Sequence, residues 1–458
     1  MTDSGDHRMT RRDVLRGAIG AAGLLAMPGP LRGDADIAHA AEDWIEHARR
    51  VERWLRSVRV MTPAGVVWPA DPLDPASVSW SLYTGTTGVV PFLLELHHAT
   101  GDRTVLDEVR AGADALLGSL PSAGADADCG LYTGLAGIGF VLAETWRATG
   151  DARYRDGARR VVDALHARAA QPAGSAGVAW NESADIISGN AGIALFLLYA
   201  ADHLGADGGI ELAARASRRL IETGRPAAGG TEWAISPRVP NLYPNFSHGA
   251  AGAGYTLATV YERTRDRTLL DAASSAAAYL DAVADRTDGC KVFHHHPGGE
   301  DLFYLSWCHG GAGTSRLWHR LALLTGDPAW TDRIHCYARG ITAMGAPEQR
   351  SAGYWENISQ CCGNAGIGEF FLSAHRLWPD RGYIGVAKRA AADIVTRAMP
   401  EAGGLKWVQA EHRVQPELRV AQTGFMQGAA GVGTLFLRLA AFEAGRQPAI
   451  RLPDSPFA

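Results

Sequence analysis

The amino-acid sequence predicts an all-α protein assembled from seven helical hairpins. Three observations predict it. A Gly-x-x-Gly pattern recurs seven times, an apolar helical stripe follows each copy, and a short Thr-x-Asp junction separates several of the helices.

The glycine pairs are Gly85/Gly88, Gly134/Gly137, Gly189/Gly192, Gly249/Gly252, Gly310/Gly313, Gly363/Gly366 and Gly428/Gly431. One or two matches would mean little in a chain with 54 glycines, but the first glycines recur every 49 to 65 residues, which marks a repeat. After each second glycine, apolar residues fall at the first, fourth, fifth and eighth positions, as in Val89/Phe92/Leu93/Leu96 and Val432/Leu435/Phe436/Leu439. That is the stripe of a helix with one buried face. More charged helices lie between, with stripes such as Leu106/Val109/Ala113/Leu116. The junctions Thr100-Gly101-Asp102, Thr149-Gly150-Asp151, Thr264-Arg265-Asp266 and Thr325-Gly326-Asp327 close one helix in a left-handed residue and cap the next with aspartate. Glycine pairs at the helix starts permit tight turns and close packing. The loops entering the seven apolar helices would all open on one end of the molecule, where a site would form.

Composition narrows the function. With 47% apolar residues the chain can bury a large core, and a net charge of −5 offers no basic field to nucleic acid. No run of 18 or more apolar residues is present, so no membrane span is expected. Thr10-Arg11-Arg12-Asp13-Val14-Leu15-Arg16 matches a twin-arginine export motif; a mildly apolar stretch to Met27 and a small-x-small site at Ala38-His39-Ala40 follow it. Residues 1–40 are thus read as an export signal, with 41–458 as one helical domain. The mature protein is expected outside the cytoplasm as a monomer, or in the cytoplasm if the signal is not used.

Six cysteines are present, and in an exported chain an even number could pair as disulfides. Adjacent Cys361 and Cys362 are poor partners for each other, and a chain this large needs no staples. At least three of the six are therefore assigned to a metal.

The residues immediately before each glycine pair locate that metal. Tyr83-Thr84, Tyr132-Thr133 and Met426-Gln427 of repeats 1, 2 and 7 read as structural. Repeat 3 carries Asp185, repeat 4 Ser247-His248, repeat 5 Trp307-Cys308-His309, and repeat 6 Gln360-Cys361-Cys362. The period alone fits an open solenoid or a closed ring. Asp, His and Cys in equivalent positions of successive repeats favour the ring, where they converge. Cys308 and Cys361 share one slot of adjacent repeats, and Cys362 takes the slot of His309. Three thiolates with an open fourth position suit a catalytic zinc ion.

The motifs Asp185-Ile-Ile-Ser-Gly189, Ser247-His248-Gly249, Trp307-Cys308-His309-Gly310 and Cys361-Cys362-Gly363-Asn364-Ala365-Gly366 resemble those of the lanthionine synthetase C (lanthipeptide cyclase) family, over roughly Ser81 to Leu439. The resemblance implies an (α/α)7 toroid, a double ring of fourteen helices with zinc at its open end. Many members have histidine as third ligand where this chain has Cys362. The implied reaction adds a peptide cysteine thiol to a dehydroalanine or dehydrobutyrine, forming a thioether; a dehydrated cysteine-containing peptide, or a small thiol, is the implied partner. His248 would be the general acid, and Asp185 the carboxylate that takes the thiol proton or orients the substrate. Tyr304 stands where some members carry arginine. His309 would be a second acid or part of the wall. His294-His295-His296 is read first as a solvated loop, with the alternatives of edging the site or trapping adventitious metal, and Trp233 to Pro244 as a segment that could help cover the opening. Without catalysis, the same chain would be an exported zinc protein that captures thiols or peptides. A carbohydrate-active toroid is the weakest alternative, because Asp185 lacks a second carboxylate across a cleft.

Overall fold

The computed structural model describes residues 43–457, apart from 122–125, 207, 296–297, 300, 350–356, 412 and 414. The export signal expected over 1–40 lies outside the described residues.

Fourteen α-helices make up the described chain. Seven start at the glycine pairs: α2 (Thr86–Thr100), α4 (Leu135–Thr149), α6 (Asn190–Leu204), α8 (Ala250–Thr264), α10 (Gly311–Thr325), α12 (Asn364–Leu377) and α14 (Ala429–Glu443). Each packs on the next, and α14 packs back on α2, so these seven form a closed inner ring. Six of the outer helices follow their inner partners: α3 (Arg103–Ser119), α5 (Ala152–Arg168), α7 (Gly208–Thr223), α9 (Arg267–Val283), α11 (Pro328–Ala343) and α13 (Tyr383–Thr396). The seventh outer helix is α1 (Trp44–Val58), from the other end of the chain, and it packs on α14. Trp44 Nε1 donates to Glu443 at 3.3 Å across that junction. The fold is therefore the (α/α)7 toroid, with its last hairpin built from the two ends of the domain.

The inner helices depart from the single buried face expected of them. In α2 every residue from Thr86 to Leu96 is buried, because the helix touches two ring neighbours, an outer helix and the ring centre. Outer helices keep one buried stripe, as in α3 with Val105, Val109, Gly112, Ala113 and Leu116. The junctions behave as the sequence predicts. Asp102, Asp151, Asp266 and Asp327 each accept the backbone N–H two residues on, while Gly101, Gly150, Gly326 and Arg265 hold the left-handed turn.

Small antiparallel hairpins tie the outer ring together. Those formed by Val60–Thr62 with Gly65–Val67, Arg225–Ala227 with Gly230–Glu232, and Met399–Glu401 with Gly404–Lys406 follow α1, α7 and α13. Each leans on the next outer helix round the ring, α3, α9 and α1 respectively. A tryptophan after each hairpin (Trp68, Trp233, Trp407) donates its indole N–H to a last-turn carbonyl of the preceding outer helix. Trp180 does the same to Leu165 of α5. Each bond ties the segment after an outer helix back onto that helix's last turn.

The glycine pairs owe their identity to closeness. A Cβ on Gly313 would sit 1.8 Å from the Trp307 carbonyl oxygen, and each of the other six second glycines meets the equivalent carbonyl of its own loop within 2.3 Å. Packing explains this glycine pattern without a ligand.

Candidate functional site

A belt of backbone hydrogen bonds joins the seven loops at the N-terminal ends of the inner helices. Its members stand two residues before each first glycine: Tyr83, Tyr132, Ile187, Ser247, Cys308, Cys361 and Met426. Tyr83 donates to Tyr132, Tyr132 to Ile187, Ser247 to Cys308, Cys308 to Cys361, Cys361 to Met426 and Met426 to Tyr83, over 2.8–3.0 Å. The circuit slips by one residue in repeat 3, where Ile186 rather than Ile187 donates to Ser247, over 3.1 Å. The belt is why equivalent sequence positions become neighbours in space.

Cys308 and Cys361 occupy consecutive steps of the belt, and Cys362 follows directly. Their ligand atoms lie within 4.8 Å of one another, and all three side chains are buried. The Cys308–Cys362 and Cys361–Cys362 sulfur separations are 3.4 and 3.5 Å. Three sulfurs on one tetrahedral zinc lie roughly 3.8 Å apart, so this donor set fits such an ion with little movement. The set also carries the charge a cation needs. Burial acts to raise the Cys361 thiol, but hydrogen bonds from Cys308, Cys362 and Tyr83 override it and hold that thiol well below its ordinary range. Burial pushes Cys308 well above it. Cys362 is drawn down by Cys308, but its hydrogen bond to Cys361 and its burial carry it well above. Cys361 is thus the member of the set whose neighbours most favour its deprotonated form.

That phenol corrects the structural role given to repeats 1 and 7. Tyr83 Oη donates to Cys361 Sγ at 3.0 Å. Gln427 Nε2 reaches Cys362 Sγ at 3.8 Å and Tyr83 Oη at 3.1 Å. Both residues share the slots of the cysteines, and that shared register was the signal available in the sequence. Tyr132, by contrast, turns its hydroxyl to Asp454.

His248 and Asp185 also meet. His248 Nδ1 donates to Asp185 Oδ2 at 2.6 Å, and Asp185 Oδ1 accepts the backbone N–H groups of Ser188 and Gly189, each at 2.8 Å. The carboxylate is buried and fully engaged, whereas His248 is partly open. His248 lies near enough to Cys361 for its positive form to favour the thiolate.

The loop before repeat 5 is not the solvated segment expected. His294 stacks on Tyr304 with ring centroids 4.3 Å apart and meets His309 edge-on at 4.5 Å. Burial, followed by the charges of His295, Arg413 and His248, lowers the His294 pKa to about 3, so His294 is neutral at pH 7. His295 faces Tyr243, while His296 lies outside the described residues. His309 is buried, with its ring 5.6 Å from that of His248, and Ser247 Oγ lies 3.5 Å from its Nε2. Burial and the neighbouring histidines hold its pKa well below the usual range. The Trp233–Pro244 segment contributes Tyr243, whose ring is 5.0 Å from His309 and 6.2 Å from His248. Cys290 and Cys336 form a disulfide that pins the start of this wall to α11. Cys129 is free and buried elsewhere.

A closed seven-hairpin toroid with a three-sulfur cluster on its loop belt defines the class of helical-ring proteins bearing a metal-competent thiol centre. The chain belongs to the lanthionine synthetase C-like protein family, whose model matches residues 76–451. No curated protein matches it in sequence. Among solved structures, nisin cyclase superposes with a TM-score of 0.62 at 16% identity, over 92% of this chain and 96% of that one. A GH76 alpha-mannanase of Bacteroides thetaiotaomicron (TM-score 0.50, 12% identity, 90% and 99% coverage) shares the fold. So does the Lin0763 protein of Listeria innocua (0.50, 12%, 88% and 99%). At these identities the likeness is one of fold. Among the described residues no helix is long and apolar enough to cross a membrane.

Proposed function

We propose that this protein is a zinc-dependent cyclase that adds a cysteine thiol to a dehydroalanine or dehydrobutyrine residue of a peptide, forming a thioether. The observation that carries the reading is the meeting, on one belt, of the Cys308/Cys361/Cys362 sulfurs with the His248–Asp185 pair. Cys308, Cys361 and Cys362 would hold the ion. Zinc supplies a fourth position at which a substrate thiol stays deprotonated at neutral pH.

The chain's own residues supply the rest. Addition forms an S–C bond at the β-carbon, breaks the C=C π bond and leaves a carbanion at the α-carbon that must gain the proton the thiol lost. Asp185 takes the Nδ1 hydrogen of His248 and fixes its tautomer, so Nε2 is the atom that delivers this proton. Asp185 has its oxygens committed to His248, Ser188 and Gly189, which suits orientation of the histidine better than uptake of a thiol proton.

We also assign the protein to the exported class, working as a monomer. The Cys290–Cys336 disulfide supports this, since such bonds persist in oxidising compartments. The test of function is incubation of purified protein with a dehydrated, cysteine-containing peptide, following loss of alkylatable thiol with and without a chelator. Zinc-dependent loss is expected. Zinc and peptide binding without loss would identify a capture protein instead, a reading to which the burial of all three sulfurs lends weight.

A further inference from the structure

The chain does not end at α14. Residues 446–457 turn back into the centre of the inner ring, from the end opposite the belt. Glu95 of α2, ten residues into its helix, accepts the backbone N–H groups of Ala449 and Ile450 at 3.0 Å each. Arg438 of α14 donates to the Ile450 carbonyl and pairs with Glu95 and Glu369. Phe457 stacks on His319 of α10 with centroids 5.0 Å apart. The Arg316 guanidinium lies between the rings of Phe457 and Phe246, 5.8 and 5.2 Å from their centroids.

At the top of this segment Asp454 is fully buried. Its Oδ1 accepts from Tyr132 Oη at 3.1 Å, and its Oδ2 accepts from Trp307 Nε1 at 3.0 Å. Both donors belong to the loops of the belt: Tyr132 is one of its members, and Trp307 directly precedes Cys308. The two rings touch edge to face at 5.1 Å. A buried carboxylate is costly unless each oxygen finds a donor. Here the donors found are side chains of two of the belt's loops.

We infer that residues 446–457 form the floor of the thiol centre, and that Asp454 is a positioning residue which sets Cys308 by holding the Trp307 indole from below. The inference rests on the reading of Cys308, Cys361 and Cys362 as zinc ligands. Tilting the indole moves the Trp307–Cys308 backbone, and with it one of the three sulfurs. Outer partners that orient metal ligands typically change metal affinity about 10- to 100-fold when altered.

The experiment uses the full chain and zinc itself, measured by competition against a chelator. Asp454→Asn keeps the volume but cannot accept from both donors; zinc affinity should fall about 10-fold with the thermal midpoint little changed. Trp307→Phe removes the indole donor and should weaken zinc similarly. The double variant should be no weaker than the weaker single one, because both act through one bond. Independently of any variant, adding zinc to the parent should slow amide exchange at Ala449, Ile450 and Asp454, since linkage is reciprocal. Zinc affinity of Asp454→Asn within twofold of the parent, additive losses in the double variant, or exchange in the tail indifferent to zinc would each overturn the inference. A parent that binds no zinc would overturn the metal reading as well, and is seen before any variant is made.

Discussion

Repeats 5 and 6 and repeats 7 and 1 are consecutive on the belt and make the same backbone hydrogen bonds, yet their side chains differ completely. Cys308 and Cys361 present thiols; Met426 and Tyr83 present a thioether and a phenol. The backbone geometry asks nothing of these side chains, because it is fixed one step later by glycines that have no room for a Cβ. Scaffold and chemistry are thus written in different residues of the same loops.

Substitutions in the two sets should therefore fail in different ways. The largest effect on chemistry is expected from Cys361→Ala. It should abolish zinc binding and lower thioether formation by more than about 100-fold, with circular dichroism and thermal midpoint near those of the parent. Gly313→Ala, a few residues from Cys308, should do the reverse. Its Cβ would meet the Trp307 carbonyl, and a loss of roughly 3 kcal/mol in denaturant unfolding is expected. If Gly313→Ala were as stable as the parent, or Cys361→Ala unfolded, the separation of scaffold from chemistry would fail.

Next in size is His248→Ala. Removing the proton donor should cost about 10²- to 10⁴-fold in kcat while zinc content, read by atomic emission, stays at the parent value. Retained turnover would remove His248 from its assigned role. Cys362→His sharpens the comparison differently. It lowers the negative charge of the centre, so a bound substrate thiolate becomes less nucleophilic and the addition step slows; an unchanged or faster single-turnover rate would contradict this.

The smallest effect tests whether a side chain from the repeats without a thiol shapes those that carry one. Tyr83 is among the donors that hold the Cys361 thiol below its ordinary range. In Tyr83→Phe that thiol regains protons at higher pH, so zinc release on acidification should begin earlier on the way down. Its midpoint should rise by roughly half a pH unit, the equivalent of one modest hydrogen bond. A midpoint unmoved from that of the parent would reduce Tyr83 to a belt member alone.

Much of this was legible in the sequence, for a physical reason. The glycine pairs recur seven times and the Asp-capped junctions four, all as local signals, and repetition also placed Cys308, Cys361, Cys362, Asp185 and His248 in the loops before the inner helices. What escaped notice depends on the chain meeting itself at long range. Nothing in the Trp44–Val58 pattern says it completes a hairpin with residues 429–443. No local signal marks Asp454 as the partner of Trp307, and the stacking of His294 on Tyr304 has no counterpart in their spacing. Tyr83 and Gln427 are a different case. They stand in the slots that carry chemistry in repeats 5 and 6, but a phenol and an amide there read as structural.

The split hairpin has a consequence for how the protein is made. Trp44 and Glu443 are 399 residues apart, and at about 5–20 residues per second a ribosome needs roughly 20–80 s to make the intervening chain. Until α14 emerges there is no partner for α1, and the Met426–Tyr83 link of the belt cannot form. The sulfurs of Cys308 and Cys361 are synthesised well before their setting exists. Nascent chains therefore carry these thiols without their final setting for roughly the last third of synthesis, until the last helix has left the ribosome.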